Sequence, residues 1–572
     1  MKRFPLLLIL SLVLCSVLVS VPRIDRVKAS GTIYIRVDGL VDPPTAPIQR
    51  DGDRYTFIGG IYDSIVIERS NITIDGARYV IEGDGGPESG NGVSLYNISN
   101  ATIRNTNIKG FTCGFYLESA SNNTISGNNI TNNNFDGIRL VNSSKNNNIT
   151  GNNITNNNFD GIYLGGSSNN TISGNNITNN GYGIRLLDST EYNTIFGNNI
   201  TNNSLVSIYL RGSSNNTISG NNITNNNLDG IRLVDSSSNN SMFGNNITNN
   251  GWGIRLFYSS SNMLSGNSMK DNEYNFGVGD AIKLSDFANH VDVSNTVDGK
   301  PVYYWINQQN KVIPPDAGYV ALVNSTFITV KNLNLTKNVQ GILLASVTNS
   351  TITEDDIANN ENGIYLYDSS NNKIYHNNFV DNVVQQHSYR STNVWDDGYP
   401  SGGNFWSDYE ERYPDAVEID ESGIWNTPYV IDLDNLDNYP LMPPPSDTTP
   451  PTLSILSPEN KTYAVNDVPL NFTVSEQTSW IGYSLDVQAN VTIGGNTTLY
   501  GLSDGSYTLT VYAKDMTGNA GASEMVYFSV NTQQAEPFPI LIVVAIVMIA
   551  GVGSVLLIYL RRVKKTMGKA KH

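Results

Sequence analysis

The segment Asn-Asn-Ile-Thr-Asn-Asn recurs through the middle of the chain, its isoleucine falling at Ile130, Ile154, Ile177, Ile200, Ile223 and Ile247. Two more apolar anchors keep the same interval of 23 or 24 residues. One is the series Ile125, Ile149, Ile172, Ile195, Ile218, Met242 and Leu264; the other is Gly-Ile-x-Leu, with its isoleucine at Ile138, Ile162, Ile184, Ile231 and Ile254, and with Ser207 in place of the glycine before Ile208. A period of roughly 20 to 50 residues means stacked supersecondary units rather than a globule. Each repeat contains three short segments in which an apolar residue is flanked by polar ones, separated by Gly, Asn and Ser. Segments this short are strands, and the polar clusters between them are turns. A leucine framework and long helical periods are both absent. Three strands and three turns per repeat make one coil of a parallel β-helix, with successive coils about 4.8 Å apart. Equivalent residues then stack: isoleucines in interior columns, and Asn128, Asn152, Asn175, Asn198, Asn221 and Asn245 in an amide ladder at a turn. Gly127, Gly151, Gly174, Gly197, Gly220 and Gly244 supply the positive φ such a turn needs.

The fold class expected is therefore all-β: a right-handed parallel β-helix over 30–442, with its regular repeats over 96–272. An interruption over 273–321, containing Tyr303, Tyr304 and Trp305, reads as a hairpin projecting from the stack. The aromatic stretch 395–440 is placed to cover the C-terminal end, because an open solenoid exposes unpaired edges. A Pro-rich linker, 443–451, precedes alternating strands over 452–532, whose spacing suggests a small immunoglobulin-like sandwich serving as a stalk.

The ends set the compartment. Lys2 and Arg3 precede an apolar run, and Val27-Lys28-Ala29 offers a cleavage position, so 1–29 reads as a secretory signal. Residues 540–560 carry no charge and are long enough to cross a bilayer as a helix. Arg561, Arg562, Lys564 and Lys565 follow, which places the tail 561–572 in the cytoplasm and the rest outside. Of 35 basic and 52 acidic residues, five and one fall in 1–29 and six basic ones in 561–572, leaving 24 against 51 and a net −27. Such a surface repels nucleic acid. Beyond the signal only Cys113 remains, so no internal disulfide is available.

The repeats, together with Asp298-Gly-Lys-Pro-Val-Tyr-Tyr-Trp305, Ile374-Tyr-His-Asn-Asn-Phe379, Trp395-Asp-Asp-Gly-Tyr-Pro-Ser-Gly-Gly-Asn-Phe-Trp406 and Asn438-Tyr-Pro-Leu-Met442, resemble the NosD-like group of periplasmic copper-binding proteins and carbohydrate-binding or sugar-hydrolase β-helices, common among archaeal surface proteins. The likeness covers about 31–442. It implies the fold, and it raises copper handling and polysaccharide chemistry as functions.

Copper requires clustered imidazole, thiolate or thioether ligands. The exported part has only His290, His376 and His387, plus Cys113 and scattered methionines, so His376 with His387 is the one candidate pair. Calcium is offered closely spaced oxygens at Asp432, Asp434 and Asp437, without an EF-hand loop. A polysaccharide lyase or hydrolase needs a carboxylate pair flanking the scissile bond. Asp136, Asp160 and Asp229 precede Gly-Ile-x-Leu, and Asp188 and Asp235 follow it, but they recur as repeat positions rather than as one singular pair. The variable position of Gly-Ile-x-Leu points outward between two inward residues. Down the stack it reads Tyr116, Arg139, Tyr163, Arg185, Tyr209, Arg232 and Arg255, with Tyr182 and Trp252 nearby. Arg and Tyr suit stacking on sugar rings and hydrogen bonding to acidic groups; equally, Arg can stack on Tyr and pair with Asp to stabilise an exposed face. Asn-x-Ser/Thr sequons, among them Asn122, Asn129, Asn153, Asn169, Asn176, Asn199, Asn215, Asn222 and Asn246, make the exported chain a candidate glycoprotein, partially occupied. The leading expectation is a non-catalytic surface protein contacting envelope glycan; a β-helix lyase or hydrolase and a NosD-like copper protein are the alternatives.

Overall fold

The computed structural model describes residues 31–86, 89–279, 283–443, 449–515, 518–532 and 561. The expected signal segment, the 540–560 span and, Arg561 aside, the tail lie outside these residues. Among the described residues no helix is long and apolar enough to cross a membrane. The chain divides into two compact units, 1–442 and 443–572.

The larger unit is a right-handed β-solenoid. In each regular coil one strand carries Gly-Ile-x-Leu, the next Thr-Ile-Ser or a variant, and the third Asn-Ile-Thr. Equivalent strands of successive coils pair in parallel, as in Ile138–Val141 with Asp160–Gly165, Asn148–Thr150 with Thr171–Ser173, and Asn153–Thr155 with Asn176–Thr178. The three resulting sheets enclose one core. Alternation decides which side chain enters it: Ile130, Ile154, Ile177 and Ile200 are wholly buried, while the flanking Asn and Thr face outward. The glycine of Gly-Ile-x-Leu is required by crowding: a Cβ on Gly161 would lie 2.6 Å from both the Gly183 carbonyl oxygen and Ile177 Cγ2. Gly151 and Gly174, at the other turn, do adopt φ of +63° and +60°.

Three asparagine ladders run up the corners, two more than the sequence suggested. The expected one contains Asn128, Asn152 and Asn175. The second contains Asn123, Asn147, Asn170 and Asn193. The third contains Asn133, Asn157, Asn180 and Asn203. Asn147 shows the pattern of most rungs. The Asn147 amide donates back to the Ala120 carbonyl and forward to Asn170 Oδ1, and that same oxygen accepts the Asn147 backbone N–H. Buried turns thus satisfy their polar groups without water.

The 273–321 interruption is not a projecting hairpin. Residues 300–306 form a strand that turns back on Thr296–Val297 through Asp298-Gly299 and then pairs in parallel with Tyr319–Val323. A second, shorter stack begins there, built from Tyr319–Val323, Gln340–Ala345, Asn362–Tyr367 and Val384–Tyr389 with their partner strands. The hairpin expectation fails because Tyr304 and Tyr319 are not surface residues. They enter the core of the first stack together with Ala321, Leu343 and Ala345, whereas Val320, Leu322, Ile342 and Leu344 fill the second core. Both faces of this sheet are apolar, so its outer face closes the end of the first stack.

At the far end of the second stack Phe379, Trp406 and Tyr429 stack ring on ring, with centroids 4.5 and 4.2 Å apart, over the last coil. The smaller unit, described over 449–515 and 518–532, is all-β. A three-stranded sheet (Leu453–Ser457, Val468–Val474, Thr497–Leu499) and a larger sheet containing Thr478–Leu485, Gly505–Asp515 and Val526–Val530 enclose Leu470, Leu509, Val511 and Phe528.

Candidate functional site

The outward ladder exists in the expected register. Tyr116, Arg139, Tyr163, Arg185, Tyr209, Arg232 and Arg255 are consecutive cross-strand neighbours. Their side chains are engaged with one another and with a parallel column of acids. Arg139 Nη1 lies 2.7 Å from Asp136 Oδ2, and Arg185 Nη2 lies 2.6 Å from Asp160 Oδ2. Arg255 pairs with Asp229 through both its Nε and its Nη2, while Arg232 stands 3.8 Å from the same carboxylate. Asp136, Asp160 and Asp229 are 0% exposed, beneath the guanidinium groups. The cations also stack: Arg139 lies 4.0 Å from the Tyr163 ring centroid, Arg185 4.5 Å from Phe159 and Arg255 4.0 Å from Trp252.

Burial raises the carboxyl groups of Asp136 and Asp160 above the ordinary carboxylate range, opposed by their arginines; one rung away, the Asp136 carboxylate also disfavours ionisation of Asp160, while the Asp160 backbone N–H donates to Asp136 and favours its ionised form. Cys113 holds the Asp position in its own coil, and burial pushes its thiol up to about 12, so it is an inert core residue.

An aromatic strip follows the charged column. Phe135 and Phe159 stack at 4.9 Å with 5° between their planes, and Tyr182 joins Phe159 to Tyr209. Farther along, Trp252 packs on Tyr274 and donates its indole N–H to Glu361 of the second stack at 3.1 Å. Sequence reasoning missed Phe135, Phe159, Tyr274 and Glu361. The signal for the two phenylalanines was in plain view, since both immediately precede the aspartate of Asp-Gly-Ile. Nothing local could have pointed to Glu361, which lies 109 residues from Trp252.

Profiles of known families match this chain twice. One, described as periplasmic copper-binding protein (NosD), matches residues 56–206 and 306–411; the other, a right-handed β-helix region, matches 160–313. This is a NosD-like right-handed β-helix protein. The copper in that family description was tested against the donors present. Cys113 is buried as a thiol. His376 Nε2 lies 2.9 Å from the Ser401 carbonyl oxygen, and His387 stacks on Tyr365 at 4.6 Å. Met263 and His290 are cross-strand neighbours, but a two-donor pair is not a cluster. Among the described residues no group of three or more His, Cys, Asp or Glu side chains could hold a metal. The donor set does not fit copper. The calcium candidates do not converge either. Asp437 is buried and accepts the N–H groups of Asn404, Trp406 and Tyr439, while Asp432 accepts from Asn435 and the Asp434 backbone.

A 96-residue stretch of the NosD-like chain is 41% identical to Halomucin of Haloquadratum walsbyi (strain DSM 16790 / HBSQ001), spanning 15% of this chain and 1% of that protein's length. Among solved structures, the periplasmic alginate epimerase AlgG is 16% identical with a TM-score of 0.31, over 56% of this chain and 82% of its own. The A-module of the Azotobacter vinelandii mannuronan C-5 epimerase AlgE4 is 15% identical with a TM-score of 0.30, over 63% and 88%.

Proposed function

We propose that this NosD-like protein is a non-catalytic envelope protein that displays its solenoid outside the cell and holds glycan chains along the Gly-Ile-x-Leu sheet. One observation carries the reading: the arginine–aromatic column is continuous over seven coils. Tyr116, Arg139, Arg185, Tyr209 and Arg232 stay partly exposed while Tyr163 and Arg255 are buried, so the column offers ring or guanidinium edges at multiples of about 4.8 Å, a repeat suited to an extended sugar chain lying along the axis. The acids beneath it argue against hydrolysis or elimination. Carboxylates with no exposure cannot flank a glycosidic bond, and each is committed to an arginine. The signal and the 540–560 span support the exported, anchored placement, with 452–532 as an immunoglobulin-like stalk. A glycan array with the purified full-length protein tests the binding. Phe135→Ser, Tyr182→Ser and Tyr209→Ser combined should weaken glycan retention at least tenfold in a protein that still melts cooperatively, its Tm lowered only by loss of the Phe135–Phe159, Phe159–Tyr182 and Tyr182–Tyr209 contacts, since aromatic contacts of this kind are each worth on the order of 1 kcal/mol. Equal retention by the two proteins would sink the reading.

A further inference from the structure

Two columns of sequons in the regular coils are treated in opposite ways by the fold. In the first column, Asn153, Asn176, Asn199, Asn222 and Asn246 each open an Asn-Ile-Thr strand, one per coil. Their side-chain nitrogens are occupied. Asn153 Nδ2 donates to Asn129 Oδ1 at 2.7 Å, Asn176 to Asn153 at 2.8 Å and Asn199 to Asn176 at 2.9 Å, and Asn222 and Asn246 continue the ladder. Neighbours here are one rung, about 4.8 Å, apart, too close for two sugars side by side.

The second column lies at the corner that follows the Gly-Ile-x-Leu strand. Asn122, Asn169, Asn215 and Asn239 sit there with φ of 57°, 59°, 59° and 57°. Each lies immediately before a rung of the buried ladder formed by Asn123, Asn170, Asn216 and Asn240. Asn122, Asn169 and Asn239 are exposed and Asn215 is half-buried. Their side chains make no hydrogen bond among the described residues, because the left-handed backbone turns them away from the ladder. Their spacing also differs. The coil between Asn122 and Asn169 places Asn146 at the corner, where Asn148 stands instead of Ser or Thr, and the coil between Asn169 and Asn215 places Tyr192 there. Asn122, Asn169 and Asn215 thus stand on alternate coils, roughly 10 Å apart, room enough for a sugar on each, whereas Asn239 stands one rung beyond Asn215 and competes with it for the same space.

We infer that Asn122, Asn169 and one of the adjacent pair Asn215 and Asn239 are N-glycosylation sites and that the strand asparagines Asn153, Asn176, Asn199, Asn222 and Asn246 are not. In the transfer, the asparagine Nδ2 gives up one proton and bonds to the anomeric carbon of a sugar. The bond from that carbon to the phosphate of a lipid-linked sugar phosphate breaks, and the phosphate leaves with its lipid. The inference rests on the exported placement proposed above, not on glycan binding by the sheet. The corner glycans would form a row beside the arginine–aromatic sheet.

Peptide mapping by mass spectrometry of the full-length protein purified from its own cells tests this. Peptides containing Asn122 and Asn169 should carry a glycan mass, each molecule should carry one at either Asn215 or Asn239, and peptides with Asn153, Asn176, Asn199 and Asn222 should carry none. Asn122→Gln with Asn169→Gln, Asn215→Gln and Asn239→Gln should lower the added mass over 122–246 by three glycans, whereas Asn176→Gln should leave it unchanged. Glycan on the strand asparagines, a bare Asn122 or Asn169, or a bare Asn215 together with a bare Asn239 overturns the inference. Protease treatment of intact cells separates the two possible failures. A protected chain refutes the exported placement and this inference with it, and a cleaved chain with bare corners refutes this inference alone.

Discussion

Asp355 shows how strictly a ladder position dictates chemistry. It occupies an asparagine rung, is 0% exposed, and accepts the Leu333 N–H with Oδ1, while its own N–H donates to Asn377 Oδ1. An asparagine would also donate its amide to Asn377 Oδ1, as its counterparts do along each ladder; Asp355 Oδ2 has no partner. Only a protonated carboxyl can supply the missing donor. Burial, with lesser contributions from Asp356 and Glu354, pushes this carboxyl up to about 8. Its folded value is raised above the unfolded one, so the stability it contributes is complete below about pH 4 and is lost as pH rises toward 8. Asp355→Asn should therefore raise Tm at pH 8, by roughly 1 to 3 kcal/mol of stability, and flatten the pH dependence between 4 and 8. Thermal melts across that range check it, and a lower Tm for the variant at pH 8 would refute the protonated rung. Arg185 makes the complementary case. Arg185→Ala strands Asp160 in the core at a cost of about 3 kcal/mol or more, and adding Asp160→Asn should recover most of it, as denaturant titration of the double variant would show.

At the scale of an element, the coil is the unit that can be removed. Deleting residues 199–221 joins Asn198 to Asn222 in register, so every column and every ladder closes again. We expect the shortened chain to keep its β circular dichroism and a cooperative melt. Deleting 199–209 alone should destroy both, because half a coil drives interior isoleucines to the surface. Similar behaviour of the two deletions would contradict the independence of the coils. The coil was legible in the sequence because its apolar period and its turn residues agree at every repeat. Two of the three ladders were not, since Asn123 and Asn133 look like any polar turn residue until the coils are stacked.

On the scale of the whole molecule, the joint between the stacks matters most. Leu343 stands in the variable Gly-Ile-x-Leu position, which carries Arg or Tyr in the regular coils, yet it is wholly buried in the core of the first stack. Leu343→Glu should uncover that end, lower stability by more than about 3 kcal/mol, and speed proteolysis near 280–300. Limited proteolysis with fragment mapping reads this out, and an unchanged cleavage pattern would show that the joint does not depend on the contact. The sequence did contain a hint, because Leu343 is apolar where Arg139 stands in the regular coils. Read locally, that hint is only one more variation in a repeat.

The 23-residue spacing by itself determined the solenoid, its interior columns and the outward Arg/Tyr column, since each follows from a period and an alternation that a strand imposes on its own residues. Tertiary structure alone decided which groups meet across coils and across stacks. It placed Asp136 and Asp160 under their arginines, turned Tyr304 and Tyr319 inward, and brought Glu361 to Trp252. It also tied up one column of sequons and left the other free. Those outcomes depend on what lies one rung away in space rather than one residue away in the chain, and the repeat is identical on either side of that distinction.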